Sequence, residues 1–232
     1  MTMIERNLQA VRARIATACQ ASGRNVQDVA LLAVSKTFGA DAVRAAHAAG
    51  QRAFGENYIQ EAVEKMALLA DLPLQWHCIG PIQSNKTRWV ATHFAWAHTV
   101  DRLKTAERLS AQRPPELPPL QVCIQVNVDG GANKSGVASG DALALARAVA
   151  ALPRLRLRGL MAIPEPAPDF EAARAVHMRA KTLFDQMNAA GLGLDTLSLG
   201  MSADLEAAIA AGSTMVRVGS AIFGGRPPKP SF

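Results

Sequence analysis

The chain has 232 residues, 49% of them hydrophobic, which is enough for one full-sized core and suits a single (β/α)8 barrel as well as two small domains. Its formal charge of +6 comes from scattered Lys and Arg beside a single Tyr, and no basic run interleaved with aromatic residues speaks for nucleic-acid binding. Cys19, Cys78 and Cys123 are widely spaced and form neither a metal motif nor a disulfide frame, and neither a signal-peptide core nor a membrane-spanning run is present, so a soluble cytoplasmic protein working away from membranes is expected.

Ile4, Leu8, Val11, Ile15 and Ala18 recur at helical spacing, predicting a helix over residues 2–21 ahead of the first strand. VALLAVSKT, residues 29–37, is apolar on both faces and reads as a buried parallel strand ending in Ser35-Lys36-Thr37. A helix over 41–49 stops at Gly50, followed by the strand RAFGE at 52–56 and a helix over 57–70 with Tyr58, Val63, Met66 and Leu69 as core contacts. Strands at 74–80 and 94–100 flank a helix near 87–92, and Asp101 is a candidate cap for the next helix. The proline-rich residues 113–119 read as a rigid connection, because the buried strand LQVCIQVNV at 120–128 follows at once.

The second half repeats the rhythm. The glycine-rich loop 129–136 leads to a helix over 140–151, a strand at 155–163, a long helix over 170–190, a strand at 194–200, a helix over 202–211 and a strand at 214–220. Eight strands alternating with helices predict an α/β fold, a single (β/α)8 TIM-like barrel with an extra amino-terminal helix, with an open doubly wound sheet as the alternative. The barrel domain is expected to span residues 1–226 and to leave 227–232 as a carboxyl-terminal tail.

In a barrel the carboxyl ends of the strands meet at one mouth, here gathering Lys36, Glu56, Asn57, residues 77–80 beginning with His77, His98, Asn127, Met161, the 198–202 segment and residues 217–220. A lysine held against a dry core loses ammonium solvation and becomes a Schiff-base candidate, while a lysine just past a strand end can equally be a solvated surface group. SLGMSAD and VRVGSAIFGG follow the last two strands, where barrels often seat a phosphate on backbone N–H groups. Gly200, Gly219, Gly224 and Gly225 allow close approach, and Ser202 and Ser220 offer hydroxyls. From spacing alone, Gly219-Ser220 also fits an ordinary turn and Ser202 a helix cap. His77 and His98 read as histidines satisfying backbone groups more readily than as catalysts, and His47, His93 and His177 as surface residues.

Seven motifs, AVSKT (33–37), AFGENYIQE (53–61), WHCIGPIQSNK (76–86), NKSG (133–136), RGLMAIP (158–164), SLGMSAD (198–204) and VRVGSAIFG (216–224), run the length of the chain. In these the sequence resembles the YggS/PROSC family of pyridoxal 5′-phosphate homeostasis proteins, related to the amino-terminal barrel of alanine racemase. The resemblance implies that Lys36 forms the internal aldimine with pyridoxal 5′-phosphate, that Met201, Ser202, Gly219 and Ser220 hold the phosphate, and that Asn57 lies near the ring. Arg217 falls where related barrels direct an arginine at the ring nitrogen, which would keep the pyridine unprotonated and weaken it as an electron sink. The alternatives for these two are an interior ion pair for Arg217 and a helix cap for Asn57. Many relatives carry lysine and proline after SKT, whereas this chain has Phe38-Gly39, so any transfer role falls more heavily on Lys134, which reads more readily as a plain solvated loop lysine.

The resemblance thus implies a monomeric carrier that holds pyridoxal phosphate as a lysine aldimine, buffers it and delivers it to apoenzymes, with no efficient turnover. A racemase needs bases on both faces of the substrate, and the only tyrosine, Tyr58, opens a helix early in the barrel. A single-domain racemase and a Schiff-base aldolase acting on a sugar phosphate are the competing expectations.

Overall fold

The structure, a computed structural model, describes residues 1–130 and 135–225. Lys134 and the expected tail lie outside the described residues.

The first helix, α1 (Met3–Ala21), starts at a capping box in which the Thr2 hydroxyl accepts the Glu5 N–H and the Glu5 carboxylate accepts the Thr2 N–H, satisfying two otherwise orphaned donors. It buries Leu8, Val11, Ile15, Ala18 and Cys19, one face of a helix. Then follow β1 (Ala30–Val34), α2 (Ala40–Ala48), β2 (Ala53–Glu56), α3 (Ile59–Leu68), β3 (Gln75–Cys78), α4 (Thr87–His93), β4 (Trp96–Val100), α5 (Leu103–Gln112), β5 (Leu120–Asn127) and β6 (Val137–Ala138). The chain continues through α6 (Ala142–Ala150), β7 (Leu155–Met161), α7 (Phe170–Ala189), β8 (Thr196–Ser198), α8 (Leu205–Ala210), β9 (Met215–Val218) and α9 (Ser220–Phe223).

All pairings are parallel in the order β4-β3-β2-β1-β9-β8-β7-β5, and β5 returns to β4 through Trp96 opposite Gln121 and Ala97 opposite Val122. That last pairing closes an eight-stranded barrel and excludes the open sheet. Among the described residues the two-residue β6 pairs only with β5, outside the ring. The main core lies between barrel and helices. Inside the barrel are two small apolar groups, one of Leu32, Val34, Ile79 and Met215 and one of Trp96, Cys123 and Met161.

The strands are shorter than the apolar runs suggest. β1 ends at Val34, leaving Lys36 in the following loop, and β9 ends at Val218, leaving Gly219 and Ser220 to open α9. Three local expectations are corrected. Tyr58 is 55% exposed, because it precedes α3 and falls outside the helical phase that buries Ile59 and Ala62. Asp101 caps nothing: α5 begins one residue later than expected, and Asp101 pairs with Arg102 instead. His177 is buried at 1% exposure against Asp204. The proline-rich connection is pinned by Arg113, whose guanidinium donates to the carbonyls of Ala91, Phe94 and Pro118 at 2.7–2.8 Å. No helix among the described residues is long and apolar enough to cross a membrane.

Candidate functional site

A cavity of about 310 Å³ opens at the carboxyl ends of the barrel strands. Its wall contains Lys36, Asn57, Met201, Ser202, Arg217, Gly219 and Ser220, all seven residues singled out from sequence, with Val34, Phe38, Ile79 and Ile163 among its apolar members.

Lys36 is half-buried in the turn after β1 and is braced on both sides. On one side, the Ser35 hydroxyl donates to Glu56 Oε1 at 2.7 Å, and Lys65 Nζ donates to the Ser35 carbonyl at 3.0 Å and to the same Glu56 oxygen at 2.6 Å. On the other, the Thr37 N–H donates to Glu61 Oε1 at 3.2 Å, and Lys65 Nζ reaches Glu61 at 3.6 Å. Thr37 has φ 69°, a left-handed backbone that β-branched residues rarely adopt. Glu56 is fully buried and Lys65 5% exposed. Burial pushes the Glu56 carboxyl up, against the opposing pull of Lys65 and Ser35.

Sequence reasoning missed Lys65. Its only sequence signal is the Glu61–Lys65 spacing of four, which places the two on one side of α3. Nothing local announces that Glu56, at the end of β2, is where that lysine points.

The loops that follow β8 and β9 need their glycines. Gly200 has φ 89°, and a Cβ there would lie 2.5 Å from Ala208 Cβ. At Gly219 a Cβ would lie 3.2 Å from the Val34 carbonyl oxygen, so a bare backbone lets the end of β9 close on β1. Ser202 is not the helix cap: α8 starts at Leu205 behind Asp204, which frees Ser202 to line the cavity. The Met201 N–H donates to Asp204 Oδ1 at 2.7 Å, while Asp204 Oδ2 takes His177 Nε2 at 2.8 Å. Burial pushes the Asp204 carboxyl up, but the hydrogen bonds from His177 and Met201 outweigh it and hold it below the usual carboxylate range. Asp204 therefore shapes the loop, and Met201 contributes its side chain more than its amide. Phe38 stacks on Phe223 of α9 with ring centroids 5.2 Å apart, tying the Lys36 turn to the Gly219 loop.

Arg217 is 3% exposed, and burial pulls its guanidinium down to about 10. Instead of an interior carboxylate it meets three oxygens: Nη1 donates to the Ser198 carbonyl (2.6 Å) and hydroxyl (2.7 Å), and Nη2 to the Ala162 carbonyl (2.9 Å). Asn57 does not cap α3, and its buried Oδ1 has no hydrogen-bond partner among the described residues. His77 and His98 are fully buried inside the barrel with Nδ1 and Nε2 2.8 Å apart. Cys78 and Cys123 are core thiols that burial pushes up to about 12. No cluster of metal-ligating side chains occurs among the described residues.

Residues 6–227 match the family described as alanine racemase, N-terminal domain. A Pseudomonas aeruginosa protein named pyridoxal phosphate homeostasis protein is 62% identical over 226 residues, 97% of each chain. The Escherichia coli K12 protein of the same name is 53% identical over 229 residues, 97% of this chain and 98% of that one. Among solved structures, Synechococcus elongatus PipY with pyridoxal phosphate bound superposes with a TM-score of 0.83 at 36% identity, covering 95% of this chain and all 100% of its own. Alanine racemase from Clostridium difficile gives a TM-score of 0.69 at 15% identity over 95% of this chain and 58% of its own, a likeness of fold alone.

Proposed function

This chain belongs to the alanine racemase N-terminal domain family and, within it, to the pyridoxal phosphate homeostasis proteins, and from that premise we propose that it binds pyridoxal 5′-phosphate through Lys36 and holds it for buffering and delivery. The observation that carries this reading is the convergence of Lys36, the two glycine loops and Arg217 on one cavity of about 310 Å³. When bound, the cofactor supplies an aldehyde that condenses with a primary amine, together with a phosphate dianion and a pyridine nitrogen.

The residues present fit such a group. Lys36 offers the amine. Gly219, where the bare backbone lets β9 close on β1, and Ser220, at the first turn of α9, line the cavity with Ser202 and offer it backbone N–H and hydroxyl donors for an anion. Three of the five Arg217 N–H donors are spent on protein oxygens, so one Nη2 hydrogen and the Nε hydrogen remain for an acceptor such as an unprotonated ring nitrogen. The orphaned Asn57 Oδ1 gives the ligand or its lysine a further partner.

Holding is favoured over turnover because the titratable side chains in the cavity wall, among the described residues, are Lys36 and Arg217, whereas racemisation calls for proton acceptors on two faces. Tyr58 is exposed and does not belong to that wall. Residues 1–226 are read as one unit, in keeping with the family match over 6–227, acting as a cytoplasmic monomer whose recipients are pyridoxal phosphate-dependent apoenzymes.

The test is a visible spectrum of the protein incubated with pyridoxal phosphate, before and after borohydride, followed by peptide mass spectrometry. A coloured protein whose reduced adduct maps to Lys36 is expected. A colourless protein, as a sugar-phosphate aldolase would be, or an adduct mapping to another lysine, overturns the proposal. Chiral analysis of amino acids incubated with the loaded protein separates carrier from racemase.

A further inference from the structure

Gln75 opens β3 at the amino-terminal rim of the barrel and is exposed, whereas Arg217 sits in the cavity wall at the other end. Between them runs an unbroken series of polar contacts through the barrel interior. Gln75 Oε1 lies 3.1 Å from His77 Nε2, His77 Nδ1 2.8 Å from His98 Nε2, His98 Nδ1 3.1 Å from Ser198 Oγ, and Ser198 Oγ 2.7 Å from Arg217 Nη1. His77, His98 and Ser198 are each 0% exposed, so water offers them no alternative partner.

Donor and acceptor chemistry gives this series one direction. A guanidinium only donates, so the Ser198 oxygen accepts from Arg217, and its own proton has His98 Nδ1 as its acceptor. His98 then carries its hydrogen on Nε2 and donates to His77 Nδ1, and His77 carries its hydrogen on Nε2 and donates to the Gln75 amide oxygen. The reverse order leaves the Ser198 hydroxyl proton with no acceptor among the described residues and requires the Gln75 amide to be turned round. Since Arg217 holds on to its protons, the chain orients and does not conduct.

We propose that Ser198, His98 and His77 are positioning residues for Arg217: a single chain of hydrogen bonds, each donated away from the cavity, fixes the guanidinium so that its two unspent N–H groups face a ligand, and holds both imidazoles neutral with hydrogen on Nε2. The ligand half of this statement rests on the pyridoxal phosphate reading. The tautomer half does not.

Long-range 1H–15N correlation on ligand-free, histidine-labelled protein reads the tautomers directly. Among the five histidines, His77 and His98, assigned by single replacement, should each show a protonated Nε2 and a bare Nδ1 at neutral pH. Hydrogen on Nδ1 of either ring, or an imidazolium, overturns the proposal even if the protein binds pyridoxal phosphate well. In Ser198→Ala the His98 Nδ1 signal should move, pyridoxal phosphate affinity should fall about tenfold and the visible band should shift, with Ser198→Thr restoring all three. A Ser198→Ala protein with the wild-type His98 signals and the wild-type band overturns it as well. Failure of the wild type to take up pyridoxal phosphate would instead remove the functional reading and leave the tautomers to decide this one.

Discussion

Lys65 Nζ lies 2.6 Å from Glu56 Oε1 and donates to the carbonyl of Ser35, so a buried ion pair grips the peptide that precedes Lys36. Breaking such a pair from one side strands a desolvated charge, at a cost of about 3–5 kcal/mol. Lys65→Met should therefore lower the urea-unfolding free energy by roughly that amount, and Glu56→Gln/Lys65→Met should lose less than the two single variants summed. Single variants within about 1 kcal/mol of wild type would show that the pair carries little.

Gly219→Ala tests the seam between β9 and β1. Its Cβ would sit 3.2 Å from the Val34 carbonyl oxygen and 3.3 Å from Val34 Cβ, tighter than ordinary packing, so the loop must shift by a few tenths of an ångström. Pyridoxal phosphate affinity, followed by spectral titration, should drop about tenfold or more, equivalent to ~1.4 kcal/mol. Unchanged affinity would move the anion-holding role elsewhere.

The Phe38–Phe223 stack should couple the Lys36 turn to α9. A double-mutant cycle of Phe38→Ala and Phe223→Ala is expected to give a coupling of about 0.5–1.5 kcal/mol in stability, with faster cofactor release in either single variant. Additive effects would mean that the rings pack independently.

Acid should weaken the fold through its interior histidines. An unperturbed histidine takes up its proton near 6.5, whereas burial pulls His77 down to about 3 and His98 in the same direction. The folded state thus binds fewer protons between those values, so the stability these rings permit is complete above about pH 6.5 and is lost as pH falls toward 3. From about pH 7 to about pH 5, His77 alone should remove ~2 kcal/mol of unfolding free energy. Urea midpoints that stay level or rise across this interval would contradict neutral buried rings.

The barrel was readable because its strands are buried on both faces and therefore appear as apolar runs broken by helix-period stretches, as in VALLAV and LQVCIQV. The cavity residues were readable through motifs. What escaped depends on partners distant in sequence: Lys65 is an ordinary helix lysine until β2 brings Glu56 beside it, and His177 looks solvated until α8 brings Asp204 to its ring. Tyr58 and Asp101 escaped for a smaller reason, since helices that start one or two residues later than expected reassign the residue at the boundary. The two-residue β6 is too short to leave a period.

Threonine at 37, held at φ 69° beside Lys36, is a conformation that glycine would adopt without protest. A chain tuned only to withstand heat would carry glycine there. With threonine, anchored through its amide to Glu61, the turn works like a cocked hinge pin that aims its neighbour's amine into the mouth of the barrel, and durability yields to aim at this one position.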